Sequence, residues 1–429
     1  MASNITNRAG LVSFNTPSSP VEELKSPDEV RTYLTKVCVL PTPEKAKETY
    51  WSLGMNNWWK QILDGNLHKH GCMVFDEGLH RGHIEPGYLK GVERASHFFA
   101  DNFHQPFSLE LYKEIHSRAC AHFAHNTKDK TESGIICPPS KINSFRTAGE
   151  RCGGLSICDT EFAHLEKVKN ALSGISSQLR WAQEDVENHG KVNSDDEYFA
   201  ELLDNPMDND LGTKQRKLNV AVLKAQKILA ALSYDNIPDD PKTLCSILDN
   251  KEREIWPKLK QIGKTRVQQI NDLFQEISSR LGLKTPFVYC ILGGDITICI
   301  SYEAESASLK FGELAETLIA EFDQNLTRLQ KETCDKVQSA DQEITQIKEE
   351  YQEQALFLIA RLYAELEWAH PWIDGQGRTD LIALNGLLCQ AGLHPCILEE
   401  PYFSTGALVP EWVDYLKAGL KKFEEVRGF

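Results

Sequence analysis

His370-Pro371-Trp372-Ile373-Asp374-Gly375-Gln376-Gly377-Arg378 is the stretch from which the rest of this chain is best read. An apolar, helix-forming run, Gln354 to Ala369, precedes it. A second, Thr379 to Ala391, follows and is closed by Gly392. The pattern predicts a short polar loop clamped between two buried helices, so that rigid elements present its side chains. Gly375 and Gly377 bracket Gln376 and remove bulk, which lets successive backbone amides curl around an anion. The next helix adds its free amides and the positive end of its dipole. Arg378 brings a planar fork of donors for phosphate. Asp374 is a candidate ligand for Mg²⁺, an ion commonly shared between one or two carboxylates and substrate phosphates. His370 is the group here that takes a proton near neutral pH. Base, carboxylate, amide nest and arginine together point to phosphoryl or nucleotidyl transfer, where positioning and charge neutralisation supply most of the catalysis.

Each residue alone also has a plain reading. A histidine before proline can merely cap a helix, Gly-x-Gly is common in turns, and Trp372 fits a core position. The spaced set carries the argument, and that set resembles the signature of the Fic family. The signature is His-Pro-Phe, two residues of which the second is acidic, Gly-Asn-Gly-Arg, two more, and a final Arg. Fic proteins move part of a nucleotide, most often AMP, onto a Ser, Thr or Tyr hydroxyl of another protein. The resemblance implies a mostly α fold, a Fic-like helical core with a small β-hairpin flap, here carrying a large helical insertion. It implies His370 as general base, Asp374 as Mg²⁺ ligand, and Gly375, Gln376, Gly377 and Arg378 as the phosphate cradle. Trp372 stands where the aromatic anchor is expected. Two positions depart from the signature: Gln376 replaces Asn, and Leu381 stands in place of the final arginine, which normally contacts the outer phosphate of ATP. Leu381 reads as apolar packing, and Asp380 beside it would repel phosphate.

The 429 residues suffice for one large domain with an insertion or for two to three domains. A formal charge of -15 argues against general nucleic-acid or acidic-membrane binding through bulk charge. No run is long and apolar enough to span a membrane, and the first residues do not read as a cleavable signal peptide. Many of the 12 cysteines lie in apolar contexts, such as Cys290, Cys299, Cys389 and Cys396, as in a cytoplasmic protein with free thiols. By analogy with the family, a secreted bacterial effector acting in host cytosol is also a fitting context.

Residues 1–30 read as a flexible tail. Residues 31–159 form an N-terminal helical region, with a helix start at Pro43-Glu44 and an amphipathic helix over 108–123 marked by Leu109, Tyr112, Ile115, Ala119 and Phe123. The stretch 66–86 reads as loop, and His68, His70, Cys72, His80 and His83 match no metal-site spacing there. His116, His122 and His125 read as surface or core histidines. Arg146 and Arg151 fall in a stretch resembling one found between Fic helices; each is a phosphate contact or a structural ion pair.

Residues 160–283 read as the helical insertion, with Val220, Leu223, Ile228 and Leu232 marking one buried face and Val267, Ile270, Leu273, Phe274 and Ile277 another. It either recognises the target or supports the core. Residues 284–403 hold the flap and catalytic core. Two β-branched and aromatic runs flank Gly293-Gly294-Asp295, a hairpin signal. The family resemblance makes this the flap that pairs with a target protein, along Thr297–Tyr302. Gln330 to Glu350 reads as a solvated helix pair or extension, and residues 404–429 as a C-terminal helix. Ser19 and Glu23 have the spacing of the family's inhibitory helix, but Leu24 follows them, so autoinhibition of that kind is not expected.

The expected function is protein nucleotidyl transfer (AMPylation-like), with ATP or another nucleotide donor and Mg²⁺. A CDP- or UDP-linked donor is an alternative that Leu381 favours, an inactive Fic-like adaptor is another, and removal of the modification is a third.

Overall fold

The computed structural model describes residues 26–79, 84–124, 145, 154–155, 160–189, 211–280, 288–292, 297–301, 311–339, 343–372, 374–401 and 407–428. In chain order the helices are α1 Pro27–Lys36, α2 Pro43–Tyr50, α3 Tyr88–Asp101, α4 Leu109–Ala119, α5 Thr160–Glu187, α6 Leu211–Ala231, α7 Pro241–Arg280, α8 Phe311–Ser339, α9 Ile344–Ala369, α10 Gln376–Gln390 and α11 Val409–Arg427. The strands are β1 Gly154–Leu155, β2 Val288–Leu292 and β3 Thr297–Ser301.

The helices on either side of the loop, α9 and α10, are the centre of the fold. Leu362 to Ala369 and Thr379 to Cys389 are continuous buried runs, largely apolar but with Glu365, Glu367, Asp380 and Asn385 buried among them. α10 packs on α2, α3, α4 and α9, while α9 packs also on α8 and α11. Local chemistry starts the surrounding helices. Ser26 caps α1 by accepting from the Glu29 amide while the Glu29 side chain accepts from the Ser26 amide, and Pro27 occupies the first turn. Ser108 caps α4, which buries Leu109, Tyr112, Ile115 and Ala119, the face expected of it. Phe123 falls in the following 3₁₀ turn, Ala121–Ala124. The last four residues of the expected tail, Pro27 to Val30, are helical. Residues 1–25 of that tail, with Ser19 and Glu23, lie outside the described residues.

The expected small β-hairpin flap, with Thr297–Tyr302 as its open edge, is corrected. β2 pairs antiparallel with β3, but β3 also pairs antiparallel with β1, giving the order β1-β3-β2. Ile298 and Cys299 face Leu155 and Gly154 across the ladder, so the Thr297–Ser301 strand is the middle one and is not an edge at those two positions. A target segment adding along this strand would have to displace β1 at Ile298 and Cys299. The turn at Gly293-Gly294-Asp295, and Tyr302, lie outside the described residues.

α5, α6 and the first half of α7 enclose their own small core of Leu172, Leu179, Leu218, Ala221, Ala225, Leu229, Leu244, Cys245 and Leu248. The expected buried face of α6 is thereby corrected: Val220 and Leu223 are 51% and 56% exposed, and Leu232 is exposed as well. Ala221 and Ala225 between Leu218 and Leu229 form a smoother stripe that lets the neighbouring helix approach closely, and packing at short range outweighs the larger apolar side chains. The second face expected of the insertion, Val267 to Ile277, lies on the second half of α7. Pro257 lies inside α7, between this small core and Leu259, which belongs to the main core. Arg266, almost fully buried, holds Glu411 of α11 with two hydrogen bonds of 2.8 Å.

The charged segment around Gln330–Glu350 is a helix pair, α8 against α9, but not a fully solvated one. Thr333, Cys334 and Ile347 are buried, and Lys336 pairs with Glu350 on the outside. Among the described residues, no helix is long and apolar enough to cross a membrane.

Candidate functional site

α9 ends at His370 in a left-handed conformation, φ 42° and ψ 56°, with its amide donating to the Leu366 carbonyl. That position usually belongs to glycine, and a side chain there costs about 1–2 kcal/mol. His370 holds it with its side chain 25% exposed. Its Nδ1 lies 4.0 Å from Glu367 Oε2, one turn back.

Trp372 is the anchor of the loop. Its ring is fully buried between the His116 ring, stacked at 3.9 Å, and the Phe145 ring, stacked at 4.3 Å. Phe145 also forms a backbone bridge with Trp372. Arg146 and Arg151 lie outside the described residues. His116 Nε2 is 2.8 Å from the Asp374 carbonyl, so α4 fixes the loop from below.

Asp374 is half-buried, and its Oδ1 accepts from the Gly375 amide at 2.6 Å. Gly375 caps α10 with φ +77°. A Cβ built on it would lie 2.3 Å from Cys120 Sγ and 3.3 Å from His116 Nε2. Gly375→Ala is therefore expected to lower the unfolding free energy by about 2–3 kcal/mol, from both the backbone conformation and the clash. Urea unfolding of the single variant and of Gly375→Ala/Cys120→Gly tests this. If removing the sulfur restores nothing, the clash is not the cause.

Beyond Gly375, the amides of Gln376, Gly377 and Arg378 open α10 and have no acceptor one turn earlier within the helix. The side chains diverge from them. Gln376 turns inward and is almost fully buried. Its Oε1 accepts from the Trp372 amide at 3.2 Å, and its Nε2 donates to Tyr112 Oη at 2.8 Å and Asp380 Oδ2 at 2.5 Å. It braces the loop. The methylene that distinguishes it from Asn lengthens its reach into that interior.

Arg378 points the other way. Its guanidinium forms a two-pronged pair with Glu85, lies 4.3 Å from the Tyr88 ring centre, and has Nη1 3.5 Å from His122 Nε2. Burial would lower its pKa, but the Glu85 carboxylate outweighs burial and holds the charge firmly. For Glu85, burial pulls the pKa up, while Arg378 and His122 override it and keep the carboxylate below its ordinary range. His122 Nε2 is 2.5 Å from Glu85 Oε1.

A second cluster lies under the loop. Asp380, 1% exposed, accepts from Tyr112 Oη at 2.6 Å as well as from Gln376. Glu367, also buried, faces it, and Glu367 Oε1 receives no hydrogen bond from a donor group. A proton on Glu367 shared with Asp380 resolves this arrangement. Burial, then the Asp380 charge, raises the Glu367 carboxyl well above its ordinary value. Burial lifts Asp380 from 3.8 to about 7, against the opposing hydrogen bonds from Tyr112, Gln376 and Glu367. Leu381 is buried in the core.

The nine-residue stretch thus brings His370, Asp374 and the α10 amides to one loop, and sends Gln376 and Arg378 to opposite sides. Sequence reasoning missed Glu85, Glu367 and Tyr112. Glu367 carried a signal, one of two acids, with Glu365, in a largely apolar buried run. Glu85, 293 residues from Arg378, carried none.

For Mg²⁺, no group of three or more His, Cys, Asp or Glu gathers among the described residues. One part-exposed carboxylate beside open helix amides still fits an ion held largely by substrate phosphates. His68 Nε2 lies 2.9 Å from the Leu63 carbonyl, while His80, His83 and His125 lie outside the described residues. No protein-family model and no curated protein matches the chain.

Proposed function

We propose that this chain is a Fic-like enzyme that transfers a nucleotide-derived phosphoryl group, with AMP from ATP as the default, to a protein hydroxyl. The observation that carries the reading is His370. A non-glycine residue is held in a left-handed conformation, part-exposed, at the end of a buried helix and directly before the open amides of the next. Unfavourable backbone geometry that the surrounding fold enforces is a mark of functional sites.

On this reading His370 accepts the proton of the target hydroxyl as its oxygen attacks the α-phosphorus. The bond from that phosphorus to the leaving oxygen breaks, and pyrophosphate departs with the electron pair. The amides of Gly377 and Arg378 meet charge on the phosphates, with no reorganisation required. Trp372, stacked and buried, keeps those amides in place. Asp374 would hold Mg²⁺, which when bound neutralises phosphate charge and orients the leaving group.

Glycine at position 370 separates function from fold. His370→Gly is expected to unfold no more readily than the wild type, with a gain of up to about 1 kcal/mol. It should transfer nothing. Intact-mass analysis after incubation with Mg²⁺ and a panel of nucleotides and nucleotide-diphosphate conjugates reads both the transferred group and its loss. Equal mass gain in both proteins would remove His370 as the base.

A further inference from the structure

Beside the Glu85–Arg378 pair, a groove of about 340 Å³ runs between the start of α3 and the Ala121–Ala124 turn. Its volume is at the small end of the range for ligand pockets. Gly87, Gly91 and Ala121 form its floor, and Lys90, Arg94 and His122 its walls. The glycines are required there. A Cβ on Gly91 would lie 2.5 Å from the Ala119 carbonyl oxygen, and one on Gly87 would lie 2.9 Å from His122 Cβ. The floor is consequently almost bare backbone.

Lys90 and Arg94 are one turn apart on the exposed side of α3. Neither makes a hydrogen bond or ion pair among the described residues, and no carboxylate lines the groove. In a chain of formal charge -15, two cations on one helix face with no ion pair among the described residues form a local positive site. Three acids lie near without lining the groove: Glu85 is neutralised by Arg378 and bonded to His122, Asp76 accepts from the Gly87 and Leu89 amides, and Glu93 follows Lys90 by three residues on α3. The groove also adjoins the loop, because its His122 wall touches the Glu85–Arg378 pair.

We propose that this groove binds an oligophosphate, gripped by Lys90 and Arg94, with the buried His122 ring closing the wall behind it. The occupant's link to catalysis rests on the transferase reading above. There the groove supplies cationic contacts that Leu381 does not, either for the outer phosphates of a bound donor or for pyrophosphate after it leaves.

The test is calorimetric titration of inorganic pyrophosphate with Mg²⁺ into the full chain, comparing wild type with Lys90→Gln/Arg94→Gln. The same titrations use an ATP analogue with a non-cleavable α–β linkage, and AMP. Both substituted side chains are exposed, and circular dichroism of the variant checks that it folds as the wild type does. The double variant is expected to lose about tenfold or more in affinity for pyrophosphate, while AMP binding shifts by less than about twofold. An equal loss for the ATP analogue assigns the groove to the donor; a loss for pyrophosphate alone assigns it to the free product. Pyrophosphate that binds both proteins equally, or fails to bind the wild type, overturns the proposal. Because the readout needs no turnover, loss of binding in a protein that transfers nothing would leave the groove standing and remove only the transferase reading.

Discussion

Glu85→Ala is expected to lower the unfolding free energy by about 3–5 kcal/mol, because it leaves the Arg378 charge buried without its carboxylate. Arg378 is 9% exposed and packed against Tyr88, so water cannot replace the lost partner. The double variant Glu85→Ala/Arg378→Met should recover much of that loss, since no charge is then stranded. Additive losses in a urea double-mutant cycle would show that the pair is not coupled. Acid separates this pair from other terms. Glu85 has a depressed pKa, so its stabilisation is present above the ordinary carboxylate range and disappears as pH falls through its folded value. On the transferase reading, the substitution also releases a guanidinium beside the α10 amides. Nucleotide affinity should then rise while the fold weakens, two effects of opposite sign from one change.

The carboxyl pair beneath the loop predicts the opposite pH dependence. Asp380 and Glu367 bind protons more readily in the folded chain than in the unfolded one. Their contribution is complete below the ordinary carboxylate range and is lost as pH rises through about 7. Stability should therefore fall steadily between pH 5 and pH 8. Glu367→Gln places a permanent donor opposite Asp380 and cannot ionise, so it should flatten the curve and exceed the wild type in stability at pH 8. Urea midpoints between pH 5 and 8 decide the matter. Parallel curves for the two proteins would mean that the pair shares no proton.

Much of this architecture was legible from residue pattern alone. Two apolar runs and their glycine punctuation locate α9, the loop and α10, because burial on every side leaves a continuous signal. Ser108 and the spacing of Leu109, Tyr112, Ile115 and Ala119 do the same for α4. The third strand was not legible: Gly154–Leu155 is two residues long and has no period to read. The face of α6 was misread because bulk was given more weight than the close approach that Ala221 and Ala225 permit. At the site, the loop's backbone could be read from its glycines, but the destinations of Gln376 and Arg378 could not. Those are set by Tyr112 and Glu85, hundreds of residues earlier in the chain.

Pro257 bears on how the chain responds to stress. α7 runs 40 residues, about 60 Å of helix, and the proline lies where it passes from the small core to the main one. Its ring removes one donor and crowds the Arg253 carbonyl, so helical order does not propagate across that point as it does elsewhere. The arm therefore has a single weak joint. Thermal opening is partitioned there, and the three-helix body can fluctuate or melt as its own cooperative unit while Arg266 keeps the remainder of α7 clasped to α11.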